Sequence, residues 1–261
     1  IRDLVRSRGL GDVYKRQVIE EVSFCVDKNE FIGIIGPNGA GKTTLLKTLT
    51  RIIEPIKGEV LLNGENLHHM QNLEIAKNIA FVSQDISSTF SFTARQIVLM
   101  GRYPYIGMFG NETAEDLKKA LWALDVTETK AFSDRNIYEL SAGERQRVVI
   151  AKALAQDPKI LLLDEPTAHL DIGHRIDILD LIKSLQKDKG LTIVAVFHDL
   201  NLASQYCDRI MLIKDGSSIK CDTPFEVLKY DVIEKAFKCM VIVDDKSLTG
   251  RPIITPISKQ K

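Results

Sequence analysis

The chain has 261 residues, 44% hydrophobic and 27% charged, with 35 Lys+Arg against 35 Asp+Glu. This is an ordinary globular composition, and a net charge of zero gives no general affinity for nucleic acid or anionic lipid. No apolar run approaches the roughly 20 residues that span a bilayer, so work at a membrane would need a partner to supply the spanning part.

Residues 1–17 (IRDLVRSRGLGDVYKRQ) carry no clean strand or helix period, and their basic bias stops where 18–24 begins to alternate. The stretch reads as a junction or leader outside the fold, which leaves 18–261 as the domain. The pattern then predicts two strands over 18–35 with a turn at Lys28-Asn29-Glu30, and a short strand over 58–64. Together these suggest a small antiparallel layer. An apolar strand over 79–84 ends on Gln84. From 93 to about 155 the pattern is helical, broken at 101–111 and near 133–136. The run Ile160-Leu161-Leu162-Leu163-Asp164 is of the kind buried on both faces of a parallel sheet. An amphipathic helix over 173–189 stops at Gly190, and strands follow over 191–197 and 209–214. Strands alternating with helices predict an α/β core with a mostly parallel sheet. Cys25, Cys207, Cys221 and Cys239 form no C-x-x-C pair and read as reduced, buried thiols. No secretory signal is recognisable, which favours the cytoplasm.

Gly36-Pro37-Asn38-Gly39-Ala40-Gly41-Lys42-Thr43 lies between the apolar run 31–35 and a helical pattern that opens at Thr44. Strand, glycine-rich loop and helix are the context that a phosphate-binding loop requires. Successive glycines let backbone N–H groups turn toward one anion, and the helix presents its positive end to the same point. Lys42 supplies a mobile charge for β- and γ-phosphates, and the Thr43 hydroxyl can ligate Mg²⁺. Asp164-Glu165 closes the run 160–163. At the carboxyl end of a central parallel strand, Asp164 would hold Mg²⁺ and Glu165 would polarise an attacking water. Alone, a strand-end Asp-Glu is as readily a surface cap; downstream of a phosphate loop it gains meaning. Leu140-Ser141-Ala142-Gly143-Glu144 opens a helix with Ser141 as N-cap.

The order of these pieces (phosphate loop, Gln84, LSAGE, LLLDEP, His169-Leu170-Asp171 and His198) resembles the nucleotide-binding subunit of ATP-binding cassette (ABC) transporters from residue 18 onward. The resemblance implies a P-loop NTPase core with mostly parallel sheet, an antiparallel β layer and an inserted helical subdomain at about 90–156, with a family tail at about 222–261. It implies ATP hydrolysis with Mg²⁺ and a homodimer in which each subunit's Ser141 and Gly143 bind the γ-phosphate held by the other. It further implies that His198 contacts the γ-phosphate and helps orient Glu165 and water. Gln84 would reach Mg²⁺ and link the site to the helical subdomain. Asp171 would couple the two sites across the dimer. Ala142 and Glu144 depart from the commonest LSGGQ form. The family usually stacks adenine on an aromatic residue shortly before the first ordered strand pair; Tyr14 is near the right distance but lies inside the stretch read as a junction, which leaves the base contact open.

Met100-Gly101-Arg102-Tyr103-Pro104-Tyr105, Phe197-His198-Asp199-Leu200-Asn201-Leu202-Ala203, Tyr206-Cys207-Asp208, and the tail over 237–256 with Thr249-Gly250-Arg251-Pro252 are similar to importer subunits for iron-siderophore, haem or cobalamin. That branch implies integral membrane permease subunits as partners, a substrate-binding protein acting indirectly, and a peripheral place on the cytoplasmic face. Arg102 to Tyr105 are expected at the docking edge. The alternatives are an importer for another ligand such as a metal ion, a soluble ABC ATPase acting on DNA or ribosomes, and a nucleotide sensor that does not hydrolyse. The second lacks a coiled-coil insertion or basic face, and the third sits poorly with Lys42, Asp164, Glu165 and His198 all present.

Overall fold

The computed structural model describes residues 5–6, 17–83, 91–106 and 110–258, and the chain divides into two compact units, Ile1–Met70 with Thr192–Lys261, and Gln71–Leu191. The first unit opens with β1 (Val5–Arg6), β2 (Glu21–Val22), β3 (Phe31–Ile35), α1 (Lys42–Leu49), β4 (Leu61–Leu62) and β5 (Glu65–Asn66). The second holds α2 (Asn72–Asn78), β6 (Ile79–Val82), α3 (Ala94–Met100), α4 (Ala114–Val126), α5 (Ala142–Ala155), β7 (Ile160–Asp164) and α6 (Ile172–Lys189). The chain then returns to the first unit with β8 (Thr192–Val196), α7 (Leu200–Tyr206), β9 (Arg209–Lys214), β10 (Ser217–Asp222), α8 (Pro224–Val227), α9 (Tyr230–Phe237), β11 (Val241–Asp244) and β12 (Ile253–Pro256).

In the first unit the strands run β1-β2-β10-β9-β3-β8. Parallel neighbours flank β3 on both sides, with Ile34 opposite Val196 of β8 and Met211 of β9. Every residue of β3 and β8 is buried, which is why both read as unbroken apolar runs. The Phe31 and Phe197 rings meet at 6.2 Å. β9 turns into β10 through Asp215-Gly216, both at positive φ (49° and 77°), the geometry of a two-residue type I′ hairpin.

The antiparallel pairing comes from strands other than those expected. β9 pairs with β10 and β1 with β2, while β4–β5 and β11–β12 are separate hairpins. Residues 18–35 and 58–64 do not form one layer: β3 joins the parallel ladder, β2 pairs parallel with β10, and β4 pairs with β5. Val5–Arg6 also forms a short strand where the sequence pattern gave none.

In the second unit β6 and β7 pair in parallel, with Val82 opposite Leu163, and β7 is buried throughout. Thr93 and Thr113 start α3 and α4 with capping boxes, each hydroxyl accepting from the amide three residues on. The apolar faces of α3, α4 and α5 contribute Val98, Ala123, Leu124, Val148 and Leu154 to the core, all 1% exposed or less. Each fully buried side chain of Val or Leu size contributes about 1.5–3 kcal/mol. These helices fall within the stretch expected to hold the helical subdomain. Gly190, at φ 65°, ends α6 where the sequence pattern stops it.

Among the described residues, no helix is long and apolar enough to cross a membrane.

Candidate functional site

In the first unit the loop Gly36–Gly41 leaves the buried end of β3 and enters α1 at Lys42. Gly36 sits at φ 154°, and a Cβ there would lie 2.0 Å from the Ile213 carbonyl oxygen. Only glycine lets the loop cross β9 so closely. Gly41, the N-cap of α1, is left-handed at φ 98°; no side chain caps the helix and no acidic residue occupies its first turn. The positive end of the α1 dipole therefore carries no counter-charge from its own first turn. Lys42 is 6% exposed, and its Nζ donates to the Gly36 and Pro37 carbonyls at 2.8 and 3.0 Å. Its ammonium is thus folded back over the loop. The Ala40 amide donates to Pro37 O at 3.2 Å, closing a turn that leaves Asn38 and Gly39 exposed. Thr43 and Thr44 are half-buried in the first turn of α1.

β8 delivers His198 beside this loop. The Phe197 amide donates to Ile34 O at 2.9 Å, which continues the β3–β8 ladder to its last rung. His198 follows that rung on one strand as Gly36 follows Ile35 on the other, and His198 is exposed. The next residue, Asp199, caps α7 by accepting from the Asn201 and Leu202 amides at 2.9 and 3.1 Å. The carboxyl ends of neighbouring parallel strands are where ligands bind in open α/β sheets.

In the second unit Asp164 ends β7 and is 4% exposed. Glu165 follows at φ 51°, a left-handed conformation that costs an L residue about 1–2 kcal/mol. Such strain at a charged residue beside a strand end is common at functional sites.

The LSAGE segment begins α5. Ser141 Oγ accepts from the Glu144 amide at 3.2 Å, and a Glu144 carboxylate oxygen accepts from the Ser141 amide at 2.7 Å. The Ser141 amide, and after it the Ser141 hydroxyl, hold the Glu144 carboxyl below its ordinary value. Asp171 caps α6, with Oδ1 accepting from the His174 amide at 2.9 Å and Oδ2 lying 2.7 Å from His174 Nδ1. Those His174 contacts hold the Asp171 carboxyl low. The His174 ring lies against Gly143: a Cβ there would stand 2.5 Å from the ring Cδ2. The second unit thus brings Ser141, Gly143 and Asp171 together through His174. Sequence reasoning did not single out His174, because an Asp and a His three residues apart at a helix start read as an ordinary cap.

Gln84 and Tyr14 lie outside the described residues. Arg102 departs from expectation. It is not at an outer edge but 3% exposed, with Nε donating to Asp116 Oδ1 at 2.9 Å and Nη1 to Ala155 O at 2.6 Å. Burying a guanidinium requires this pairing, and Asp116 supplies it. The Tyr105 ring lies 3.9 Å above the Arg102 guanidinium, and its hydroxyl donates to Gln156 O at 3.1 Å. Tyr103 is 63% exposed, as a docking residue would be. The two branch features near the C-terminus are one packed element: Asn201 bonds Ile254 in both directions (3.1 and 2.8 Å), and Ser204 Oγ donates to Pro252 O at 2.7 Å.

The residues of the phosphate loop fit a nucleotide's phosphates. A loop that excludes a Cβ at Gly36, an uncapped helix start and a nearly buried lysine make a cradle for an anion. Comparison with known proteins agrees. The family model for the ABC transporter domain matches residues 19–168. The ferric enterobactin transport ATP-binding protein FepC of Escherichia coli (strain K12) is 37% identical over 94% of this chain and 90% of its own length. The cobalamin import ATP-binding protein BtuD of Halobacterium salinarum is 39% identical over 92% of this chain, but the chain spans only 60% of that relative's length. Among solved structures, an ABC transporter in an inward-facing conformation superposes with TM-score 0.81 at 28% identity, covering 92% of this chain and 91% of its own. A dimeric cassette in a post-hydrolysis state, bound to ADP and Pi, gives TM-score 0.71 at 31% identity over 85% and 97%. The chain belongs to the ABC transporter family, as an ATP-binding cassette.

Proposed function

We propose that this chain is the ATPase subunit that energises an importer for iron-siderophore complexes, haem or cobalamin. The observation that carries this reading is the phosphate loop on the C-terminal end of β3, in a chain that aligns over 94% of its length with a ferric enterobactin transport ATP-binding protein. The tail is bonded to α7 at Asn201 and Ser204, and Asn201 and Ile254 both lie in stretches that resemble that branch, which supports the same reading.

In this reading two copies form an ATP sandwich. Gly36 to Thr44 hold the phosphates of one nucleotide, and Ser141 and Gly143 reach the γ-phosphate held by the partner. Asp171 couples the two sites. Thr43, Asp164 and Gln84 hold Mg²⁺; hydroxyl, carboxylate and amide oxygens are the hard donors that this ion takes. Bound Mg²⁺ would neutralise developing charge on the phosphates. Glu165 orients and polarises water, and His198 contacts the γ-phosphate. Membrane-spanning permease subunits dock on the cassette at the cytoplasmic face, and a substrate-binding protein sets the ligand.

The test is uptake. A strain lacking this chain, complemented with wild type or Glu165→Gln, is offered a radiolabelled ferric siderophore, haem or cobalamin. Uptake of one of these by the wild-type strain alone is expected. Uptake of none, with salt-dependent DNA binding by the purified chain, would instead favour a soluble ATPase.

A further inference from the structure

His174 makes contacts on both edges of its ring. Nδ1 lies 2.7 Å from Asp171 Oδ2, while the His174 backbone amide donates to Oδ1 at 2.9 Å, so one carboxylate grips both the main chain and the ring. That grip fixes the ring's rotation. The opposite edge faces the start of α5, where a Cβ on Gly143 would meet ring Cδ2 at 2.5 Å, Cγ at 3.0 Å and Nε2 at 3.2 Å. Gly143 is buried against this ring. The Ala142 and Gly143 amides lie in the first turn of α5, where helix geometry provides no intrahelical acceptor. Their aim depends on where that turn sits, and the turn rests on the ring.

We infer that His174 is the positioning residue that ties the Asp171 loop to the signature segment: one imidazole, gripped by Asp171, sets the place of the Gly143 amide. This rests on the reading that Ser141 and Gly143 act on the nucleotide of a partner subunit. A shift of the loop at Asp171 moves the ring, and the ring moves the donors at the start of α5. Close packing transmits such a displacement instead of absorbing it. Gly143 is required for the same reason: any Cβ there would push α5 off the ring.

The experiment uses the purified chain and measures ATP binding to the monomer, steady-state ATPase, and thermal stability. Its variants are His174→Ala, His174→Asn, His174→Phe, Gly143→Ala, the Gly143→Ala/His174→Ala double variant, and Ser141→Arg. His174→Ala should lower kcat roughly 10- to 100-fold, the scale of an ångström-sized misplacement, with monomer ATP affinity unchanged. His174→Asn keeps a donor near the Nδ1 position and loses the ring; His174→Phe keeps the ring and loses the donor. Both should lose turnover, because the link needs both edges, and either carries the test should His174→Ala fail to fold. Gly143→Ala should be impaired as well, and the double variant should be no worse than the weaker single, since the two changes break one link. Full turnover in any folded His174 variant, or a drop in monomer ATP affinity, overturns the inference. Ser141→Arg separates the two levels. If it remains active, the signature reading fails and this inference with it. If it is inactive while His174→Ala is active, the signature reading stands and only the inference on His174 fails.

Discussion

Ser141 and Glu144 satisfy each other's backbone amides at the start of α5, through bonds of 3.2 and 2.7 Å. This reciprocal cap accounts for a glutamate where the commonest signature has glutamine: either side chain can reach back to the N-cap amide. The carboxylate also suits the positive end of the helix.

Glu144→Gln should therefore keep the cap and leave stability within about 0.5 kcal/mol, whereas Glu144→Ala should lose about 0.5–2 kcal/mol, as cap deletions do. Urea denaturation of the two variants beside wild type decides this. Equal losses would mean that the carboxylate's charge, not its reach to Ser141, stabilises the turn.

Lys42→Ala should weaken ATP binding by at least about tenfold, because the lost ammonium faces the β/γ-phosphates in the ground state as well as the transition state. Its Nζ already lies over the loop, bonded to Gly36 and Pro37, so little rearrangement is needed to reach a phosphate. Equilibrium titration with a fluorescent ATP analogue measures it. Unchanged affinity would remove the loop from the nucleotide site.

Glu165→Gln should bind ATP nearly as well as wild type and hydrolyse it roughly 10²–10⁴-fold more slowly, the range of a positioned general base. The residue's left-handed φ of 51° adds a second expectation. Glu165→Gly should be inactive too but melt no lower than Glu165→Gln, since glycine adopts that conformation at little steric cost. Single-turnover kinetics and melting curves on both variants test the two halves separately. Near-normal turnover by Glu165→Gln would end its role as base.

The parts of the site that sequence made legible are those whose chemistry is written in adjacent residues. Gly36 to Thr43 need only each other, a strand before and a helix after. His174 was not legible because its second contact, to Gly143, joins two separate helices. The burial of Arg102 was hidden for a similar reason: Arg102 lies in the turn after α3 and its partner Asp116 is 14 residues away on α4, so an arginine beside two tyrosines reads as surface. β10 was missed although Asp215-Gly216 announces a hairpin, because its alternation is weak and none of its residues is fully buried. In the fold, the runs at β3, β7 and β8 were plain since both faces are covered. The partners of β2 and β4 were not, since two-residue strands carry too few side chains to specify a neighbour.

The Arg102–Asp116 pair predicts a pH dependence of stability. The Thr113 hydroxyl and amide, with Arg102, hold the Asp116 carboxyl below its ordinary value. A depressed carboxyl contributes stability that is complete above the unfolded value near 4 and is lost as pH falls through the folded value. Asp116→Asn leaves Arg102 buried without a counter-charge and should cost about 3–5 kcal/mol at pH 7. The gap to wild type should begin to narrow below about pH 4, where the unfolded chain takes up the proton, and narrow further as pH falls through the lower folded value. A gap of constant size from pH 7 to pH 3 would show that packing, not the ion pair, sets the cost.

Tyr103 and Tyr105 are expected to behave differently toward a membrane partner. Tyr103 is 63% exposed, whereas Tyr105 stacks on Arg102, bonds Gln156 and has its hydroxyl's pKa raised mainly by burial. An exposed tyrosine that becomes a buried anchor at an interface commonly carries about 2 kcal/mol or more, a loss of roughly 30-fold in affinity when truncated. Tyr103→Ala should therefore reduce co-purification with the permease and transport, with stability and ATP binding of the isolated chain unchanged. Tyr105→Ala should reduce stability as well, because it uncovers the Arg102 guanidinium. A pull-down with the permease, a melting curve and an ATP titration on each variant separate the two. Full permease binding by Tyr103→Ala would move the docking surface away from this turn. A stable Tyr105→Ala that still loses the permease would make Tyr105 an anchor in its own right.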